Sequence, residues 1–273
     1  MISVVIPSLG GDLSETLNSL NSGTVKPDEI IVCLPNKDHS VKDLSLYKNT
    51  LVVYSEKYGQ VYQRIFGFKK SKYEYILQLD DDVYVDKYCL EVLESILSSK
   101  KDVSISPLWY DTKDASPLHK KKKGVLMSFY YWMINGSIGY APGKISLAGT
   151  NFGVHPNYVD LNSNLFKVDW QPGGCIMHRR ENILLEDYYP YNGKAHFEDL
   201  IHSHLLKKSG ISLFVAIKAK CMIKINPRLL FRGELYSDYK ARLYFVKMAN
   251  LSIVRMYIYY IVFITNYLRG KKL

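Results

Sequence analysis

Several familiar signatures are missing from this chain. Its four cysteines, Cys33, Cys89, Cys175 and Cys221, stand far apart with no Cys-x-x-Cys pair. That excludes the usual zinc and thiol-redox spacings and points to four buried thiols in a reducing compartment. There is no zinc-finger spacing, no aromatic RNA-binding signature and no heptad region, so nucleic acid is not the expected partner despite a net charge of +10. The most apolar stretch, Leu251 to Leu268, is interrupted by Arg255 and Asn266; it falls short of the ~20 predominantly apolar residues of a spanning helix. Met1 to Ile6 is apolar but has no basic lead and is cut off by Pro7, so it reads as a first core strand and not as a signal peptide. Without internal repeats or low-complexity linkers, the 273 residues read as one large α/β domain with an appendage.

What is present is an ordinary globular balance, 47% apolar and 23% charged, with an excess of tyrosine, 23 against 3 tryptophans. Tyrosine suits sugar stacking, a membrane interface or plain packing, so the count alone does not choose. Two basic clusters, Lys120 to Lys123 and Arg269 with Lys271 and Lys272, favour an anionic partner such as lipid or a diphosphate.

Short apolar runs at Ile2–Ile6, Glu29–Leu34, Leu51–Tyr54 and Tyr75–Leu79 predict strands buried on both faces. Helical spacing between them, up to Leu20, over Gln60–Phe68 and over Asp86–Leu97, predicts a mostly parallel sheet flanked by helices. From Ser98 to Lys123 the pattern weakens. Later, Phe197–Lys208 predicts a helix, and Leu213–Ile217 and Met222–Ile225 two strands. Tyr239 to Leu268 contains no Pro or Gly and predicts one long helix. The expected division is a domain over 1–235 and a helical, apolar and basic tail over 236–273.

Three places could carry chemistry. Asp80, Asp81 and Asp82 follow the fourth strand, and open parallel sheets bind ligands beyond the carboxyl ends of their strands. Carboxylates there could hold a hard divalent cation on a diphosphate; a solvated turn or a helix cap would use the same residues. Glu198-Asp199 opens a helix and offers a base to an acceptor hydroxyl, or a simple cap. Gly173-Gly174 after Trp170-Gln171-Pro172 could let backbone approach a ligand while Trp170 stacks on a sugar, or could be a turn beside a core tryptophan. The histidines are scattered; His202 and His204 lie on different faces of a helix and do not form a metal pair, while His178 and His196 are the two with some claim to the site.

In combination these elements resemble the inverting family 2 glycosyltransferases of the GT-A fold. Ile2 to Ser8 resembles that family's first strand and nucleotide-binding turn, Thr16-Leu17-Asn18-Ser19-Leu20 its first helix, and Pro27 to Val32 its second strand. Gly59-Gln60 with Arg64 and Gly67 is similar to the helix beside the diphosphate, and Tyr75 to Asp82 to the strand with the metal motif. Trp170 to Arg180 resembles the loop that closes on donor and acceptor, and Glu198-Asp199 the element that holds the base. The resemblance spans roughly residues 1–210 and is weak over about 98–168. Where the family carries an Asp-Asp-Gly-Ser segment after the second strand, this chain has Cys33 to Asp38.

The resemblance implies a metal-dependent, inverting glycosyltransferase using a nucleotide-sugar donor, with uridine the family's commonest base. It implies donor contacts at Pro7, Ser8, Asp38, Gln60, Arg64, Asp80 and Asp81, with Arg64 near the phosphates. Mn²⁺ or Mg²⁺ would be held by Asp82 and Asp80, Asp199 would be the catalytic base, and Trp170, Gly173, Gly174 and Glu198 would line the sugar loop. A glycan or lipid-linked acceptor is the expected partner. The tyrosines at 257, 259, 260 and 267, with flanking basic residues, suit a tail lying on the anionic inner face of a membrane. Two other classes remain open: a sugar nucleotidyltransferase, disfavoured because Pro7 to Asp12 holds no Lys or Arg, and a GT-A domain that binds without turnover.

Overall fold

The computed structural model describes residues 1–160, 163–191, 195–225 and 232–269. Lys271 and Lys272 of the terminal basic cluster lie outside them. The chain runs β1 (Ile2–Pro7), α1 (Ser14–Asn21), β2 (Glu29–Leu34), β3 (Thr50–Tyr54), α2 (Gln60–Lys70), β4 (Tyr75–Leu79), β5 (Val83–Val85), α3 (Cys89–Ser99) and β6 (Val103–Asp111). It continues through α4 (Val125–Asn135), β7 (Leu165–Val168), β8 (Cys175–Arg179), α5 (Glu198–Lys208), β9 (Ser212–Ile223), α6 (Arg232–Met248) and α7 (Ile253–Leu268). One nine-stranded sheet has the order β3-β2-β1-β4-β8-β6-β9-β5, with β7 on β9.

The side-chain period of two in β1 explains the layering. Val4 and Ile6 point into the large core with Leu13 just before α1, Leu17 and Leu20 of α1, and Leu90, Leu93 and Leu97 of α3. Val5 points the other way, toward Ile31, Cys33, Ile76 and Phe68 of α2. Apolar residues on both faces therefore recruit helices to both, as the continuous runs predict. Gly67 sits where α2 touches the sheet: a Cβ there would run into Val5 and Cys33.

The pairings β3-β2-β1-β4 are parallel. Beyond β4 the sheet is mixed, since β8 runs antiparallel to β4 and β6 while β6 and β9 are parallel. β6 occupies part of the stretch where the sequence pattern fades. Its inward residues Ser104 and Ser106 are fully buried, and Pro107 sits at a register shift against β9, so its strand signal is hidden by polarity and proline. The two expected late strands are one, β9, whose exposed Lys218 and Lys220 interrupt the apolar run without ending the strand.

The single long helix expected over Tyr239 to Leu268 is instead two. Asn250 adopts a left-handed conformation (φ 53°) after α6, and the Ser252 hydroxyl accepts from the Arg255 N–H to cap α7. An asparagine that tolerates this conformation followed by an N-capping serine is a stop and restart without Gly or Pro. Among the described residues no helix is long and apolar enough to cross a membrane.

Candidate active site

The acids lie where the regular half of the sheet meets the mixed half. β4 delivers Asp80 at its carboxyl end beside the end of β1, and the Ser8 hydroxyl donates to Asp81 Oδ2 at 2.5 Å. Thr16 of α1 donates to the Asp81 carbonyl at 2.8 Å, fixing the turn from behind. A cleft of about 550 Å³ opens above, bordered by Pro7, Ser8, Gln60 and the three aspartates, with Leu9, Tyr58 and Ala195 on its rims. That is ample for a ligand of nucleotide size.

Arg64 is the hinge of the site. It is 1% exposed on the inner face of α2. Its Nη2 donates to Asp80 Oδ1 at 3.0 Å and its Nη1 to Glu198 Oε1 at 2.6 Å. Burial opposes its charge, but Glu198 and Asp80 outweigh burial and hold it firmly protonated. The guanidinium therefore ties the strand-end acids to the start of α5 across 134 residues. It does not border the cleft, and its partners in the structure are the carboxylates of Asp80 and Glu198. Gln60 Nε2 also donates to Asp80 Oδ1, at 3.0 Å, leaving Oδ2 as the less engaged oxygen.

Glu198 and Asp199 have opposite characters. Glu198 is buried and accepts from Arg64 and from the Tyr188 hydroxyl, both at 2.6 Å. Burial pushes its carboxyl up, yet Arg64, His202 and these hydrogen bonds outweigh burial and bring it below the usual range. Asp199, which does not itself border the cleft, is pushed well above the usual carboxylate range, first by burial and then by the neighbouring charge of Glu198. The two share a hydrogen bond in which Asp199 supplies the proton. A helix start favours an ionised carboxylate through its dipole, but at Asp199 burial and the carboxylate in contact outweigh the dipole. Phe197, immediately before, has φ 63°, an unusual conformation for a bulky residue, and is held under Arg242 at 4.2 Å.

The glycine pair passes between the two sets of acids. A Cβ on Gly173 would lie 2.5 Å from Asp199 Oδ1 and 2.7 Å from Glu198 Oε2, and one on Gly174 would lie 2.9 Å from Asp80 Oδ2. A side chain at either position would displace these carboxylates. The Gly174 carbonyl accepts from the Asp80 N–H at 2.9 Å, and the Gly173 carbonyl from Gln78 Nε2 at 2.6 Å. The loop is anchored by Gln171, which is fully buried and donates from Nε2 to the Ser104 and Phe214 carbonyls.

Asp80, Asp81, Asp82, Gln60, Gly173, Gly174, Glu198 and Asp199 thus converge, with Pro7 and Ser8 at the cleft floor. Trp170 does not join them. It is 4% exposed, packs with Leu200, Ile201 and Phe245, and donates its indole N–H to the Phe152 carbonyl at 2.9 Å, so no ring face is left for a sugar. Asp38 is exposed on the loop after β2 and does not border the cleft. His178 is fully buried and packs edge-on against His202 at 5.6 Å, behind Arg64. Burial lowers both imidazoles, His202 to about 4, so each is neutral at physiological pH. Sequence reasoning missed Tyr188 and the rims Leu9 and Tyr58, for which it held no signal. It also missed Gln78 and Gln171, whose signal was a polar amide inside an apolar strand or loop.

The acid set also suits a cation. Asp82 has no cationic partner among the described residues, and burial followed by repulsion from Asp80 and Asp81 pushes its carboxyl up. Among the described residues no group of three or more His, Cys, Asp or Glu could enclose a metal alone. A hard ion would therefore take one or two carboxylates here and fill its shell with ligand oxygens and water.

No curated protein matches the sequence. Among similar solved structures is the crystal structure of GalNAc-T7 with UDP, GalNAc and Mn²⁺, with a TM-score of 0.58, 17% identity, and coverage of 85% of this chain and 46% of that one. The chain thus spans about half the length of that protein and shares with it the GT-A fold. Residues 3–155, more than half of the chain, match the glycosyl transferase family 2. With its strand-end aspartates and their arginine link to the α5 acids set in that fold, the chain belongs to glycosyl transferase family 2.

Proposed function

We propose that this glycosyltransferase moves a sugar from a nucleoside-diphosphate donor to an acceptor hydroxyl with inversion at the anomeric carbon. The observation that carries the reading is the convergence of Asp80 and Asp199 on the Gly173–Gly174 loop, with Arg64 fixing the two acids' elements against each other. The diphosphate lies in the cleft beside Ser8, Gln60 and the aspartates, and the nucleobase lies toward Tyr58 and Leu9. A uridine donor is the first to test, because the GT-A structure above holds UDP and Mn²⁺.

Asp82 and the Oδ2 of Asp80 would hold Mn²⁺ or Mg²⁺. When bound, such an ion neutralises the charge that develops on the departing diphosphate. Asp199 takes the proton of the acceptor hydroxyl as that oxygen attacks the face opposite the leaving group, through an oxocarbenium-like state. Its raised carboxyl makes it a stronger base than an ordinary aspartate once it ionises. Glu198, held charged by Arg64, sets that strength and keeps Asp199 oriented. The acceptor is a glycan or a lipid-linked glycan, as in cell-surface polysaccharide synthesis, and the basic helical tail brings the protein to an anionic membrane surface.

Calorimetry of UDP binding with Mn²⁺ and with EDTA tests the donor half of this reading. Metal-dependent binding that is lost in Asp82→Ala and kept in Asp199→Asn is the expected result. Equal binding with and without metal in the wild type would remove the metal from the reading.

A further inference from the structure

We propose that α4 and α7 together form a docking face for an anionic bilayer, with both helices lying in the interface plane. Each helix has one stripe packed into the protein and one that is exposed among the described residues. On α4, Tyr131 and Ile134 face inward while Leu126, at 84% exposure, Phe129 and Trp132 face out. On α7, Met256 faces inward while Val254, Ile258 and Ile261, at 67%, face out. The spacings of three and four residues put each outer set on a single helical face. The two helices are joined: Arg255 of α7 donates to the Trp132 and Met133 carbonyls at the end of α4, and Tyr259 packs into the cluster formed by α4.

Charge identifies the occupant. The exposed run Lys120 to Lys123 leads directly into α4. From Ala115 to Val159, and from Tyr239 to Leu273, the sequence contains no Asp or Glu. An apolar face on two helices that carry no carboxylate themselves, with an exposed lysine run leading into one of them, matches acyl chains beneath anionic headgroups. A second copy of the same face would bring no negative charge to meet those lysines. Helices of 11 and 16 residues are about 16 and 24 Å long at 1.5 Å per residue. Neither reaches across a hydrocarbon core of about 30 Å, so they lie flat. Of the tyrosines assigned to the interface from sequence, Tyr257 is exposed beside Val254 and Ile258, whereas Tyr260 donates inward to the Leu235 carbonyl at 2.7 Å and Tyr259 lies under Arg242 at 4.6 Å.

The face is one layer from the candidate base. Phe152 of the α4 cluster accepts from Trp170, which packs on Leu200 and Ile201 of α5, the helix that opens with Glu198-Asp199. Docking would present a membrane-borne acceptor to that helix. This purpose rests on the transfer reading above; the docking itself does not.

The test is co-sedimentation of the full chain with vesicles of phosphatidylcholine alone and with phosphatidylglycerol added. The wild type is expected to bind the anionic vesicles at least about tenfold more tightly, because each lysine near an anionic surface adds to the affinity. The double variants Leu126→Glu with Phe129→Glu and Ile258→Glu with Ile261→Glu, and replacement of Lys120 to Lys123 by Gln, should each lower that affinity about tenfold or more, with UDP binding unchanged. Absence of a preference for anionic vesicles, or α4 variants that bind as the wild type does, would overturn the proposal and leave the transfer reading standing. A dimer in analytical ultracentrifugation that the α4 variant splits, with vesicle affinity unaltered, would overturn it as well by assigning the face to a second copy.

Discussion

The two halves of the sheet are held together by different forces. In β3-β2-β1-β4 the strands are parallel, and the buried residues are mainly apolar on both faces, with Ser3, Glu29 and Gln78 as polar exceptions. In the mixed half the buried positions include Ser104, Ser106, Gln171 and His178, and polar contacts do part of the fastening: Ser104 donates to Gln171, which in turn donates to two carbonyls. The regular half presents the aspartates at strand ends, as such sheets commonly do. The mixed half supplies Glu198 and Asp199 through a strained helix start and a glycine loop. In the proposed transfer the mainly apolar half serves as the donor platform, and the hydrogen-bonded, irregular half supplies the acids that meet the acceptor.

The sharpest way to break this comparison is at the seam. Arg64→Met removes the cation from two carboxylates, one of them fully buried, and should cost about 3–5 kcal/mol in urea unfolding, as for other broken buried pairs. A loss below about 1 kcal/mol, the scale of a surface pair, would mean that the two halves are not tied there. Next come paired core variants. Leu77→Ala in β4 should cost about 2–5 kcal/mol by cavity formation. Ser104→Ala in β6 should cost less, about 1–3 kcal/mol, by leaving the Gln171 acceptor unmatched. Equal losses would erase the distinction between apolar and polar fastening.

The smallest expected effect is on pH. Transfer should rise with pH as Asp199 ionises, with its midpoint above the usual carboxylate range. Glu198→Gln removes the repelling charge and should move that midpoint to lower pH. Stability follows opposite signs for the two acids. The raised Asp199 carboxyl contributes stability below its unfolded value, and that contribution is lost as pH rises through the folded value. The lowered Glu198 carboxyl contributes above its unfolded value, and that contribution is lost as pH falls through the folded value. Paired pH–rate profiles of wild type and Glu198→Gln, together with melting curves across pH, check both. An unmoved midpoint would remove Glu198 as the group that sets Asp199.

The regular half was legible because its rules are local. Continuous apolar runs such as Val4-Val5-Ile6 and Tyr75 to Leu79 announce two-sided burial, and the aspartates follow directly. Glu198-Asp199 was legible as acids opening a helix. What stayed hidden depends on partners distant in sequence. The pairing of Arg64 with Glu198, far along the chain, has no local signal. Trp170 looked like a stacking platform until Phe152, Leu200 and Phe245 enclosed it. β6 was masked because serines are buried in it, Ser104 satisfied by the Gln171 amide on another loop. The break in the tail did have a local signal, Asn250 before Ser252, which weighs less in a sequence than Gly or Pro. The apolar face shared by α4 and α7 required both helices to be placed before either outer stripe meant anything.

The central claim is that strand-end aspartates and the α5 acids form one transfer site. It is tested most directly by release of nucleoside diphosphate from a panel of nucleotide sugars, with Mn²⁺ or EDTA, for wild type, Asp82→Ala and Asp199→Asn, in the presence of a glycan acceptor mixture. The account predicts metal-dependent release from one donor, abolished in Asp82→Ala and lowered about 10²–10⁴-fold in Asp199→Asn, the usual worth of a general base. Metal-dependent donor binding with no release by the wild type, or release undiminished in Asp199→Asn, would contradict it.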